Sequence, residues 1–74
     1  MDIDNLVRMA NRIGDFFEPM PDRAEALQGI ATHLKKFWEP RMRREILRHL
    51  DAAGGDGLTP IVIESIRTHR ALLA

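Results

Sequence analysis

Apolar residues recur every three or four positions through most of this chain, and prolines or glycines break the recurrence at three places. Ile3, Leu6, Val7, Ala10, Ile13 and Phe17 fall on one face and predict a first helix over residues 3–17. Asp2 or Asp4 suits its start, by capping or by charge, and the prolines of "EPMPD" disfavour its continuation. A second stripe, Leu27, Ile30, Ala31, Leu34, Phe37 and Trp38, predicts a helix over 22–37. Acidic Asp22 and Glu25 lie near its start and basic Lys35 and Lys36 near its end, as the helix macrodipole favours. Pro40 opens a third helix over 40–53, whose apolar face is Met42, Ile46, Leu47 and Leu50. Gly54, Gly55 and Gly57 end it, because glycine accepts the left-handed conformation that closes a helix. Thr59 as N-cap and Pro60 in the first turn start a fourth helix over 59–72, with Leu58, Val62, Ile66 and Leu73 near one face.

No alternating stretch competes with this reading. The β-branched "TPIVIES" starts with a cap and a proline and continues with helical spacing. The expected fold is all-α, a small bundle of about four short helices forming one domain over residues 1–74.

Size and composition narrow the function. A core built from 74 residues is marginal, since one this small rarely supplies more than ~3–5 kcal/mol. The chain has no cysteine, so disulfides, thiolate metal sites and thiol nucleophiles are excluded together. A partner is the remaining way to secure such a domain. Eleven basic residues balance eleven acidic ones, which argues against nucleic-acid binding driven by phosphate neutralisation. The longest apolar run falls far short of the ~20 residues needed to span a bilayer. Asp2 and Asp4 stand where a secretory leader would need an apolar run, so a cytoplasmic location is expected.

The chemistry-bearing residues form no constellation. His33, His49 and His69 lie on different predicted helices, without the spacing of a metal or catalytic motif. Glu45 and His49, four apart, read as a weak surface pair. "GGDG" lacks the preceding strand and following Lys-Ser/Thr of a phosphate loop and reads as a cap and turn. Residues 41–72 could be a helix-turn-helix, but the final helix offers only Arg67, His69 and Arg70 to a nucleic acid. Catalytic, cofactor-binding and metal-binding residues are therefore not assigned. Phe16, Phe17, Phe37 and Trp38 sit at helix ends, where most of their surface is expected in the core.

The stretch "KKFWEPRMRRE", residues 35–45, stands apart. It gathers the only tryptophan, a proline and five basic residues. Arg41, Arg44 and Arg48 share one face of the third helix, Met42 and Ile46 another, and Arg43 points between them. Between residues 41 and 48 there are four arginines and no lysine. Arginine suits planar, bidentate contacts with carboxylates or phosphates, and arginine and tryptophan dominate interface hot spots. Trp38, Arg41, Met42, Arg43, Arg44 and Arg48 are thus the candidate partner-binding residues. Trp38 could equally seat the corner in the chain's own core.

The segments "NLVRMANRIGDFF", "MPDR", "GIATHLKKFWEPRMRR" and "LDAAGGDGLTPIV" make the chain resemble the delta subunit of NAD-dependent, molybdenum-containing formate dehydrogenases. Phe37 to Arg43 is the most specific part, since neither helix periodicity nor capping demands that order. The resemblance implies a holoenzyme that oxidises formate and reduces NAD, with a molybdenum bis-pterin guanine dinucleotide, iron–sulfur clusters and FMN held by larger subunits. It implies no cofactor on this chain. It casts the chain as a non-catalytic accessory subunit supporting assembly, cofactor loading or stability. The expected partners are the larger subunits, foremost the molybdenum-containing alpha subunit, with neither nucleic acid nor membrane; a homodimer is left open for the isolated chain. The alternative is a helical DNA-binding regulator or a general helical adaptor.

Overall fold

The structure, a computed structural model, describes residues 2–74. Five helices follow in order: α1 (Ile3–Phe17), α2 (Arg23–Phe37), α3 (Pro40–Ala53), α4 (Pro60–Thr68) and α5 (Arg70–Leu73). The all-α expectation holds, and the first three helices lie where periodicity places them.

The punctuation acts as its chemistry requires. The Asp2 carboxylate accepts the Asp4 N–H at 2.9 Å and caps α1. Asp22 accepts the Glu25 N–H at 3.3 Å and caps α2. Pro40 and Pro60 stand at the openings of α3 and α4, where no intrahelical N–H is lost. Gly54 closes α3 at φ 64°, a left-handed conformation that a Cβ would penalise. Thr59 is the α4 N-cap by position, but its hydroxyl makes no capping bond and is buried without a partner.

α2 is the central element and packs on α1, α4 and α5, while α1 also meets α3 and α4. Ile30 and Leu34 of α2 are fully buried between Leu6 and Ala10 of α1 and the Ile61–Val62–Ile66 face of α4, all of one core cluster. Ile46, Leu47 and Leu50 bring α3 into it. The core face of α1 centres on Leu6, Ala10 and Gly14, so Ile3, Val7, Ile13 and Phe17 are only partly covered. Ser65 is the one buried polar side chain among the described residues, and its hydroxyl donates to the Leu27 carbonyl at 2.7 Å, tying α4 to α2. That bond satisfies a group that would otherwise be costly to bury.

The single fourth helix expected over 59–72 is in fact two. His69 leaves helical geometry at φ −111° and ψ 28°, and a short turn follows. The break delivers two tertiary attachments. Leu73 enters the core at 1% exposure, and Arg70 reaches α3, donating to both carboxylate oxygens of Asp51 at 2.8 and 2.6 Å. No helix among the described residues is long and apolar enough to cross a membrane.

Candidate partner-binding surface

The α2–α3 corner divides the six candidate residues into two groups. Trp38, at 5% exposure, belongs to the core cluster, and half-buried Met42 packs against it. Arg43 turns back over the corner, and its Nη1 donates to the carbonyls of Lys35 and Trp38, each at 3.0 Å. These carbonyls lie at the C-terminal end of α2, where a helix lacks donors of its own and the macrodipole favours a cation. Arg43 Nε is buried without a partner. Trp38, Met42 and Arg43 thus hold the corner of this chain together.

Arg41, Arg44 and Arg48 remain on the outer face of α3, exposed. Arg48 lies 3.7 Å from Glu45, a loose i,i+3 pair between an exposed guanidinium and a half-buried carboxylate that contributes little. Arg44 and Arg48 line a cleft toward α5 that also contains Asp51 and Arg70. There the two hydrogen bonds from Arg70 hold the Asp51 carboxyl below its ordinary pKa; slight desolvation opposes them and the Arg70 charge adds to them. The same contacts push the Arg70 guanidinium up. Glu45 and His49 do not pair as the sequence suggested. His49 Nε2 instead donates to the Asp56 carbonyl at 2.7 Å, which places the ring proton on Nε2 and steadies the glycine turn. The turn is held from its other side by Asn11 of α1, whose amide donates to the Gly57 carbonyl at 2.9 Å and accepts the Thr59 N–H at 3.0 Å.

A second surface, away from the arginines, was not legible in the sequence. Phe16 and Phe37 were expected mostly in the core, yet they stand 77% and 70% exposed. Phe16 meets Phe17 edge-on with ring centroids 5.1 Å apart, and Phe37 lies against His33 at 4.7 Å. The Phe17 ring covers Gly29, where any Cβ would collide with it, so the glycine lets α1 and α2 close at this end. The result is an aromatic track, Phe16–Phe17–His33–Phe37, along the joint of the two helices. The signal for it is the pairing of "FF" and "FW". Neighbouring helical residues point about 100° apart, so a narrow core stripe takes one member of each pair and expels the other. Trp38 goes in and Phe17 turns partly inward against the core; Phe16 and Phe37 go out.

No group of three or more His, Asp or Glu among the described residues could hold a metal ion. The architecture is that of a small helical module whose distinctive features are surfaces rather than an enclosed site. The chain matches the family model of the NADH-dependent formate dehydrogenase delta subunit FdsD over residues 5–66, and it belongs to that family. The match runs from α1 through most of α4 and leaves out α5. No curated protein and no solved structure matches the chain.

Proposed function

We propose that this chain is a non-catalytic accessory subunit of a cytoplasmic NAD-dependent, molybdenum-containing formate dehydrogenase, one that binds the larger subunits and supports assembly, cofactor loading or stability of the complex. The observation that carries this reading, given the family, is the strong exposure of two aromatic rings, Phe16 and Phe37, at one joint of the bundle. Exposed aromatic residues joined into one patch mark an interaction surface. The molybdenum-containing alpha subunit is the foremost partner. Iron–sulfur clusters need thiolates this chain cannot supply, as it has no cysteine, so we assign the clusters to the larger subunits; the family resemblance implies the same placement for the molybdenum cofactor and FMN. The exposed arginines of α3 are a second surface available to a carboxylate-bearing partner.

The test is to produce the dehydrogenase with and without this chain, affinity-tagged. The chain is expected to co-purify with the larger subunits, and its omission to lower formate-dependent NAD reduction. Molybdenum content separates a loading defect from a stability defect. Failure to co-purify, together with full activity and full molybdenum occupancy in its absence, overturns the reading.

A further inference from the structure

We propose that the groove along the α1–α2 joint docks an apolar segment of one larger dehydrogenase subunit whose carboxylates meet Arg12 in one hollow and Lys36 in the other. The inference rests on the accessory-subunit reading and adds to it the surface and the partner's chemistry. The groove has two hollows with Phe17 and His33 as their common wall. One lies between Ile13 and Phe16, beside Arg12; the other runs from Met20 across Gly29 to Phe37, beside Lys36. Two adjoining apolar hollows suit two apolar anchor side chains on one segment.

Charge sets the rest of the occupant's chemistry. Among the described residues neither Arg12 nor Lys36 forms an ion pair, whereas Arg23 and Arg70 are each engaged by a carboxylate of this chain. Lys35, exposed, adds a further cation beside Lys36. The Met20 end of the groove carries Glu25 instead. The fitting segment therefore has one carboxylate where it passes Arg12, another where it passes Lys36, and a neutral or basic residue where it passes Glu25. Such opposed charges fix register and direction as well as attraction.

The experiment titrates four proteins of matched helicity against the purified complex of the larger subunits made without this chain: the unaltered chain, Phe16→Ser/Phe37→Ser, Arg12→Glu/Lys36→Glu and Arg41→Glu/Arg44→Glu. All the replaced side chains are exposed, so the fold is expected to survive. The phenylalanine pair is expected to lose at least ~30-fold in affinity, the loss that truncating one interfacial hot spot brings. The Arg12/Lys36 reversal is expected to lose about tenfold or more, with a flatter salt dependence. If the unaltered chain does not bind, the accessory-subunit reading falls and this inference falls with it. If it binds and the phenylalanine variant binds equally well, only the groove assignment is overturned; loss confined to the Arg41/Arg44 variant moves the interface to α3. If the phenylalanine variant merely turns a dimer of the isolated chain into a monomer and binds the subunits normally, the occupant is a second copy and the proposal is wrong.

Discussion

Arg43→Met separates a structural arginine from its exposed neighbours. Methionine keeps the aliphatic stem in place and removes the donors. The substitution leaves the Lys35 and Trp38 carbonyls without the Nη1 bonds at 3.0 Å. A hydrogen bond to a charged group contributes about 1.5–3 kcal/mol where it is shielded. Here one bond is exposed and the other part-buried, so each counts for less, and water can replace Arg43 at the outer carbonyl. Loss of a cation from the helix C-terminus adds about 0.3–1 kcal/mol. Against this, the substitution relieves the buried, unpartnered Nε. The net expectation is a loss of about 1.5 kcal/mol, near a third of what so small a core supplies. In a domain of this length that lowers Tm by roughly 6–12 °C. Trp38, buried and the only tryptophan, reports unfolding by its fluorescence in a urea titration. Arg41→Met and Arg44→Met, at exposed positions, should stay within about 0.5 kcal/mol of the unaltered protein. If Arg43→Met falls in that same band, the corner is not held by its guanidinium and the structural assignment is refuted.

Two further outcomes are expected. Asn11→Ala should cost about 1–2 kcal/mol by releasing the Gly57 carbonyl and the Thr59 N–H together, and should speed hydrogen exchange at the Thr59 amide; an unchanged exchange rate there would show that the turn holds itself. The Asp51–Arg70 pair should make α5 docking sensitive to acid. Asp51's folded pKa is depressed, so its contribution is fully present above the ordinary aspartate value of about 3.9 and is lost as pH falls through the depressed value. The Asp51 carboxyl, followed by NMR, should titrate at higher pH in Arg70→Gln than in the unaltered chain; coincident curves would mean that the pair is not formed in solution.

Much of the fold was legible in the residues because its elements are local. The caps at Asp2 and Asp22, the prolines opening α3 and α4, and Gly54 at the end of α3 each act within one turn of backbone. The surface was less legible. The arginine run was plain, but whether each arginine serves the chain or a partner depends on what lies opposite. Arg43 finds two carbonyls of α2 there, and Arg41 faces solvent. Asn11 carries no signal at all, since its partners are more than forty residues away.

By itself the sequence determined the helical class, the ends of the first three helices and the family, because capping, proline geometry and apolar periodicity are properties of neighbouring residues. Tertiary structure alone decided which ring of each aromatic pair turns toward the core, where the last helix breaks and which polar groups bridge elements. The physical reason is that a helix stripe is wider than the space its neighbours leave. Only the packed arrangement of α1, α2 and α4 buries Trp38, turns Phe17 partly inward, leaves Phe16 and Phe37 outside, and brings the Ser65 hydroxyl to the Leu27 carbonyl.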